Sequence, residues 1–363
     1  MEKGVFKQKV KNWAKRWFID AFSGMALGLF ATLIAGTIFA QIGALINSGG
    51  ENAVGNLVNA VANIAKFMMG AGIGAGIAYM LKTDKLTLFS AIAAGMIGAN
   101  AVGWFPDVTI AVGVGNPIGA YITSIATVEI CRLYAGKTKL DIILIPIGAM
   151  VISCLAVITV CPPVTWLIDM LGKGISAATE ITPFFMGIII AVVMGVLLTL
   201  PTSSAAIWVA LAQGVTTDAM LLAGGAAVVG CACHMVGFAV MSFKENGWSG
   251  LVSQGIGTSM LQIPNVMKNP KILLPPIVAS AVCGPLSTCL FRLKCGATGG
   301  GMGTAGLVGV FSTIEYSTDI SAATLALGII LLFFVLPGVI CAMLTALFKK
   351  IGWIGEDDLK LKL

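Results

Sequence analysis

Charged side chains are scarce in this sequence. Asp, Glu, Lys and Arg make up 10% of the 363 residues, whereas hydrophobic residues make up 58%. Soluble globular proteins carry roughly 25% charged residues, so this composition excludes a soluble domain and places most of the chain in lipid. The formal charge of +6 does not indicate a nucleic-acid partner. The basic residues cluster at the chain ends and between apolar runs, where they orient a protein in the membrane.

Residues that carry metal or acid–base chemistry are also few. The one histidine, His234, follows Cys231 and Cys233 in an apolar run. A zinc site lacks an evident fourth ligand, and adjacent helix positions do not face each other as a nucleophile and its base must. The nine cysteines lie mostly within apolar runs and show no disulfide spacing. We therefore expect no catalytic residue, no metal and no cofactor.

Two further motifs are incomplete. The glycine-rich run 299–304 lacks the Lys-Ser/Thr and the preceding strand of a phosphate-binding loop. The basic segment 1–18 lacks a small-residue cleavage site, so Asp20 is expected to open a mature first span and not to follow a cleaved signal peptide.

Long apolar runs, by contrast, fill the chain. A transmembrane helix needs about 20 apolar residues. The candidate spans are 21–46, 54–81, 86–104, 109–131, 141–168, 181–200, 272–292 and 320–348. Two more apolar stretches, 201–246 and 295–318, are interrupted by glycine and polar residues. Irregular backbone persists at membrane depth only where protein or a water-filled cavity satisfies it. The sequence therefore predicts an all-α polytopic membrane protein with about 8–10 transmembrane helices and two re-entrant hairpins.

The basic residues also predict orientation. Lys and Arg residues within 3–16 precede the first span, and counting spans places the 82–85 turn and the 132–139 loop on the same side. The loops at 47–51 and 104–107 carry neither Lys nor Arg, and the tail 349–362 is basic again. Because cytoplasmic loops carry an excess of Lys and Arg, both termini are expected in the cytoplasm.

Glu315 is the first candidate binding residue. It and Asp319 are the charged residues between Cys295 and Phe348. A carboxylate in an apolar setting is costly and usually faces a cavity or a partner. The alternative is an interfacial residue at a helix start. Thr318 and Asp319 are typical of the N-terminal cap of the last helix.

The remaining candidates lie at or near the interrupted stretches. His234 is either part of the same cavity as Glu315 or a buried, hydrogen-bonded neutral imidazole. Ser203 and Ser204, after Pro201-Thr202, either cap a helix or face a polar ligand at the positive end of a half-helix dipole. Gly303 and Thr304 end a glycine-rich turn that lets the backbone approach a ligand. The run 224–230 matches 303–309 at four of seven positions, which favours two hairpins, although chance is a rival explanation in a chain rich in Gly and Ala.

A family resemblance rests on three segments. The run from Gly247 to Pro276, the Pro201-Thr202-Ser203-Ser204-Ala205-Ala206-Ile207 run before it and Gly301-Met302-Gly303-Thr304 after it resemble the phosphotransferase-system IIC-like membrane proteins. This branch includes sugar permeases and toxin-regulator-like members. The resemblance covers most of the chain and is most specific over 200–310.

The resemblance implies an architecture and a set of partners. It implies a cytoplasmic N-terminus (1–18), an N-terminal half (19–173) that forms a homodimer, a C-terminal half (174–348) that carries the sugar on two hairpins, and a cytoplasmic tail (349–363). It implies a bacterial cytoplasmic membrane as the location. Since no IIA or IIB domain is present, separate IIA and IIB proteins are expected to phosphorylate the sugar.

The resemblance also assigns the site. In sugar IIC proteins a His near the first hairpin and a Glu in a short Gly/Thr-Glu motif bind the sugar, and His234 and Glu315 fall in those regions. Thr313-Ile314-Glu315 matches that motif with the Glu displaced by one residue. Sugar hydroxyls both donate and accept, which suits neutral amides beside one or two carboxylates. The available amides are Asn100, Asn116, Gln213 and Gln254.

Two other functions remain open on the sequence. One is a membrane sensor or regulator on the same scaffold that does not transport. The other is a secondary transporter that works without phosphorylation, although a proton-coupled pump usually has more than two or three intramembrane carboxylates.

Overall fold

The computed structural model describes residues 13, 15–47, 50, 52–101, 115–200, 203–212 and 214–361. The bases before Lys15, the loop 104–107, the start of the span 109–131, Pro201, Thr202, Gln213 and Lys362 lie outside the described residues. All regular structure in the described part of the chain is helical, which confirms the all-α prediction. The chain divides into two compact units, Met1–Ile168 and Asp169–Leu363.

The described part of unit 1 contains six complete helices. They are α1 (Arg16–Ala44), α2 (Ala53–Phe67), α3 (Met69–Met80), α4 (Lys85–Asn100), α5 (Pro117–Tyr134) and α6 (Asp141–Thr159). Side-chain caps fix several starts: the side chains of Asn52, Asp84 and Asn116 accept backbone N–H bonds at the first turns of α2, α4 and α5. The predicted span 54–81 is bent by 49° at Met68, between α2 and α3.

Glycines bring three helices of unit 1 into backbone contact. A Cβ at Gly72 or Gly76 of α3 would overlap the backbone of α1 at Gly28 or Gly24, and a Cβ at Gly74 would overlap α4 at Ala91. Small residues permit this close approach in membranes. The small residues of the run 70–76 are of a type that also permits contact between chains, but the faces at Gly72, Gly74 and Gly76 are filled by α1 and α4 of the same chain. The homodimer itself stays a prediction.

The predicted span 141–168 is two helices. Helix α6 ends at Thr159, and α7 (Cys161–Ile181) begins two residues later. Pro162 and Pro163 have no backbone N–H to donate to the preceding turn, so the ladder stops there and restarts with prolines in its first turn. The boundary between the two units falls inside α7.

Unit 2 contains the remaining helices. They are α8 (Pro183–Thr199), α9 (Ser204–Ala212), α10 (Asp218–Met241), α11 (Phe243–Val252), α12 (Ile263–Lys268), α13 (Pro270–Leu290), α14 (Val308–Tyr316) and α15 (Ala322–Lys350). A π-helical turn (Ser253–Gly257) and a 3₁₀ turn (Ser259–Gln262) join α11 to α12. Helices α8, α13 and α15 surround α10, and Phe238, Cys283, Leu332 and Phe333 form part of the core between them.

The re-entrant hairpin expected in the stretch 201–246 stays a prediction. The described part of this stretch contains α9 and α10, joined at 214–217. Its larger part is α10, a continuous helix of 24 residues that is long and apolar enough to cross a membrane. The glycines expected to break it serve instead for packing: a Cβ at Gly224, Gly225 or Gly230 would overlap the backbone of Cys295, Leu293 or Ala191. Glycine therefore marks close helix contact here, whereas the similar run 303–309 begins in a turn.

The last helix also starts differently from the prediction. Ser321, and not Thr318 or Asp319, caps α15 by accepting the Thr324 N–H at 3.2 Å. Asp319 is held by Lys294 instead.

The described helices confirm a multi-pass membrane protein. Five are long and apolar enough to span, or six if α2 and α3 form one bent span, and α8 is a shorter apolar helix. The larger count of 8–10 spans stays a prediction.

Candidate functional site

Two helix breaks meet inside unit 2. Break 1 separates α8 from α9, and its described residues are Leu200 and Ser203. Break 2 is the irregular segment 291–307, which precedes α14. The Ser204 hydroxyl donates to the Gly301 carbonyl at 2.7 Å and joins the two breaks directly. Two segments almost 100 positions apart therefore form one polar junction.

Glycines allow the two breaks and the neighbouring helices to pack closely at the junction. A Cβ at Gly300 would overlap the indole of Trp208 on α9, and one at Gly303 would lie 2.7 Å from the backbone of Cys231 on α10. Gly303 also has a φ of +56°, a conformation that favours glycine. Helices of the same unit thus occupy the space beside these two glycines. The approach of the glycine-rich turn to a ligand stays a prediction.

His234 lies beside this junction and is 0% exposed. Its Nδ1 shares a 2.9 Å hydrogen bond with the hydroxyl of Thr199, the last residue of α8. Thr199 also lies 2.9 Å from the hydroxyl of Ser259. The Nε2 atom is buried and has no hydrogen-bond partner among the described residues. Burying such a group costs free energy unless a partner completes it, so Nε2 is a candidate contact for a polar ligand.

Thr304 binds a second segment to the junction. Its hydroxyl donates to the Gly255 carbonyl at 2.6 Å and lies 3.5 Å from the sulfur of Met235, the neighbour of His234. Gly255 follows Gln254, which is fully buried and donates to Ser242 at 2.8 Å. Of the amides that the sequence offered, Gln254 lies closest in the chain to this junction, whereas Asn116 caps α5 in unit 1.

The other predicted residues have local roles or lie further out. Ser203 caps α9 by accepting the Ala206 N–H at 3.1 Å. Thr313 is buried and donates to the Gly309 carbonyl one turn back, at 2.7 Å. Glu315 is exposed near the C-terminal end of α14. No hydrogen bond joins Glu315 to His234, whose Nδ1 is taken by Thr199 and whose Nε2 has no described partner. A shared cavity for the two stays a prediction.

At one end of unit 2 a buried lysine, Lys294, forms an ion triad with Asp218 and Asp319. The ammonium of Lys294, 7% exposed, donates to Asp218 at 2.7 Å and to Asp319 at 2.8 Å. Burial lowers the pKa of Lys294, but the hydrogen bonds and charges of both carboxylates outweigh it and raise the pKa overall. The hydrogen bond from Lys294 lowers the pKa of Asp319. A cavity of about 660 Å³, lined in part by Glu180, Asp218 and Arg292, opens beside this ion triad.

Sequence reasoning missed the residues that organise the junction. Thr199, Ser259 and Lys294 were not singled out, although each has a signal in the chain. Thr199 precedes Pro201, Ser259 follows Gly257, and Lys294 is the last base before Lys349. Their partners lie 25 to 76 positions away, so spacing alone does not connect them.

The side chains at the junction suit a hydroxylated ligand better than a metal. Serine and threonine hydroxyls and a neutral imidazole both donate and accept hydrogen bonds, and backbone carbonyls accept them. Among the described residues there is no group of three or more His, Cys, Asp or Glu that fits a metal ion.

Comparisons with known proteins give one family match and one similar solved structure. The family model described as phosphotransferase system, EIIC, matches residues 19–361. No curated protein sequence matches the chain. A crystal structure of the transporter ChbC, the IIC component from the N,N'-diacetylchitobiose-specific phosphotransferase system, aligns over 97% of this chain and 99% of its own, with 15% identity and a TM-score of 0.49.

Proposed function

Because this chain belongs to the phosphotransferase system EIIC family, whose members are the membrane permease subunits for sugars, we propose that its sugar binds at the junction of the two breaks. The observation that carries this proposal is the buried Nε2 of His234, which has no described partner. A sugar hydroxyl that donates to or accepts from this atom would complete it. Sugar and the IIA and IIB proteins are the partners that the family implies.

The hydroxyls around the junction support a polar ligand. The hydroxyls of Ser204 and Thr304 each donate a hydrogen bond to a backbone carbonyl, so their oxygen lone pairs remain available to accept from a sugar hydroxyl. Glu315 is proposed as the second contact, reached where α14 ends. A carboxylate that accepts from two hydroxyls makes charge-assisted hydrogen bonds, worth about 1.5–3 kcal/mol each.

Binding by two variants tests this site. A panel of hexoses, hexitols and disaccharides is screened on the purified protein by calorimetry. Glu315→Gln is expected to weaken binding roughly ten- to a hundredfold, and His234→Ala less, while both elute as the parent does. Glu356→Gln, an exposed carboxylate in the tail, is the matched control. Unchanged affinity in both site variants would move the site away from the junction.

Transport is tested with the partner proteins. Vesicles that contain the chain are expected to accumulate sugar phosphate when IIA, IIB and the phosphoryl donor are supplied together. Sugar entry without them would instead favour a phosphorylation-independent transporter, and binding without entry would favour a sensor.

We further propose the bacterial cytoplasmic membrane as the location, with both termini in the cytoplasm. In unit 1, Arg16, Lys82 and Arg132 line one polar cavity of about 520 Å³. In unit 2, Lys349 pairs with Glu245 at 2.7 Å, at the end of α10 opposite Asp218. Unit 1 thus gathers bases at one cavity, as the positive-inside rule expects, whereas unit 2 also carries Arg292 and Lys294 near Asp218 at the other end of α10. A reporter fused to either terminus that is active only outside the cell would contradict this orientation.

We propose that two chains form a homodimer within the lipid bilayer and that residues 19–173 form the interface. Its support is an exposed face on α2, where Val54, Leu57, Val61 and Ile64 repeat at spacings of three and four residues. This is the spacing of a helix–helix seam. The neighbouring Asn63 is exposed as well, and an amide that faces lipid is costly unless another helix bonds it.

A further inference from the structure

The C-terminal tail lies in a groove lined by side-chain amides. The tail strap, residues 352–361, follows α15 and packs against the segment 246–269 that links α10 to α13. Asn246 contacts it twice: its amide donates to the Leu359 carbonyl at 2.9 Å, and its own carbonyl accepts the Leu361 N–H at 2.8 Å. The Asn246 side chain thus makes the two backbone hydrogen bonds that a neighbouring strand makes when a peptide adds to a sheet edge.

Three more amides bind the strap. Gln262 donates to the Leu359 carbonyl at 3.0 Å, and Asn265 donates to the Lys360 carbonyl at 3.0 Å. Asn269 donates to the Trp353 carbonyl at 2.8 Å and to the carboxylate of Asp358 at 2.7 Å. Most of these bonds go to backbone carbonyls, so they recognise an extended peptide and leave sequence choice to other contacts.

Two buried apolar side chains of the strap supply the sequence selectivity. Leu359 is 0% exposed and Ile354 is 3% exposed, and both belong to the core that includes Val266 and Ile272. The rest of the strap is largely exposed, with Glu356 and Asp357 in solvent. Two buried anchors on an otherwise exposed segment are typical of a docked peptide and not of a structural core element.

The groove continues to break 2. Gln262 also donates to Gln254 at 2.8 Å, and Asn265 donates to Gln262 at 2.7 Å, so the amides form a chain. Gln254 adjoins Gly255, whose carbonyl accepts the Thr304 hydroxyl at 2.6 Å. The amides of this chain are buried, which makes each bond costly to leave unmade. The strap and the glycine-rich turn are therefore held by one network.

We propose that the groove 246–269 is a peptide-binding site whose resident ligand is the chain's own tail, and that the docked strap fixes Gly255 against Thr304 and so keeps break 2 closed. Undocking the strap loosens break 2, because Gln262 and Asn246 lose their acceptors and the 254–262 turns lose their support. No sugar enters this inference, so it stands apart from the proposed function.

Native cysteines report on the opening. In a Cys154→Ser, Cys289→Ser background the two exposed thiols are gone. Cys231 and Cys295 then lie buried at break 2, where the Cys231 sulfur is 3.9 Å from the Gly300 carbonyl. The buried Cys131 and Cys161 of unit 1 serve as internal controls. Labelling with N-ethylmaleimide, mapped by mass spectrometry, measures how often each site opens.

Three proteins are compared: the parent, a chain that ends at Lys350, and full-length Leu359→Asp. Both changes are expected to speed the labelling of Cys231 and Cys295 about tenfold or more, with the unit 1 cysteines unchanged. Glu356→Gln, which alters an exposed strap residue, should leave every rate as in the parent. If the shortened chain does not fold, Leu359→Asp carries the test.

A peptide of residues 352–363 completes the experiment. Added to the shortened chain it should bind, as seen by fluorescence anisotropy, and should restore slow labelling, whereas the Leu359→Asp peptide should do neither. Equal acceleration of Cys131 and Cys161 would mean general loosening and would overturn the inference. Unchanged rates at Cys231 and Cys295, or a peptide that does not bind and restore them, would overturn it as well.

Discussion

The ion triad around Lys294 allows one stability prediction to be worked in detail. The lysine side chain is 7% exposed, whereas those of Asp218 and Asp319 are 65% and 48% exposed. The ammonium of Lys294 is thus buried, whereas the carboxylates of Asp218 and Asp319 are exposed to solvent. Removing the cation and removing the anions must therefore have different costs, although both delete the same two ion pairs.

Lys294→Met removes the buried charge and keeps the length of the side chain. The carboxylates left behind are hydrated, and exposed ion pairs contribute only about 0.2–1 kcal/mol each. Met also escapes the desolvation of an ammonium, so the net cost should be within about 1 kcal/mol. The backbone is retained, because the N–H of Lys294 donates to the Ser317 hydroxyl at 2.9 Å.

The double change Asp218→Ala and Asp319→Ala leaves the ammonium buried without an acceptor. Breaking buried pairs in this way costs about 3–5 kcal/mol. Each single Asp change should cost about 1 kcal/mol, since one carboxylate still serves the lysine. Adding Lys294→Met to the double change should recover most of the loss, because no uncompensated charge then remains.

Thermal stability of the purified variants in detergent checks the order. We expect the parent and Lys294→Met to melt close together, the double Asp variant to melt lowest, and the triple variant to lie near Lys294→Met. The exposed pair of Lys360 and Asp357, 3.9 Å apart, is the matched control, and its removal should change nothing. If Lys294→Met melts as low as the double Asp variant, the argument from unequal exposure is wrong.

Three further predictions follow from packing and charge. Single cysteines at Leu57 or Asn63 should cross-link two chains, whereas one at Gly72, which is filled by α1, should not; the reverse pattern would exclude the α2 seam. Gly230→Ala should lower the melting temperature because its Cβ overlaps α8, whereas Gly174→Ala, with nothing within 4 Å, should not; equal melting would contradict the packing role of α10 glycines. The stability difference between parent and triple triad variant should be flat from about pH 5 to 9. The lowered pKa of Asp319 predicts loss only as pH falls through that pKa, and the raised pKa of Lys294 predicts loss only as pH rises through it.

Composition and apolar run length were enough to predict the class of fold. Helices α4, α8, α13 and α15 lie within a few residues of the predicted spans, because a membrane imposes helical backbone on any long apolar run. The end of α6 was not predicted, although Pro162 and Pro163 mark it in the sequence. Glycine was the ambiguous signal: it permits both a break and a close contact, and the partner backbone decides between them. That partner lies far along the chain for Gly224, Gly225 and Gly303.

The candidate site was predictable in part for the same reason. Residue type and the breaks in apolar character singled out His234, Ser204 and Thr304, and the structure places all three at or beside one junction. Their partners were not predictable, since a hydrogen bond across 97 positions leaves no periodic trace. The amides of the tail groove illustrate this best. Asn and Gln in an interfacial stretch look like solvent-facing residues until the tail is seen to lie on them.

The two proposed sugar contacts differ in a way that bears on movement. His234 lies in the interior of unit 2, whereas Glu315 is exposed seven residues beyond the start of α14, about 10 Å along its axis. A ligand that contacts both at once must reach from the interior of unit 2 to that exposed position, or break 2 must shift so that α14 carries Glu315 inward. The docked strap opposes such a shift, since Thr304 and Gly255 hold break 2 against the 254–262 turns. Binding to Glu315 and release of the strap would then draw on the same motion. Affinity measured with Glu315→Gln, Leu359→Asp and their combination distinguishes the cases: independent effects mean a long ligand on a fixed site, and coupled effects mean that break 2 moves.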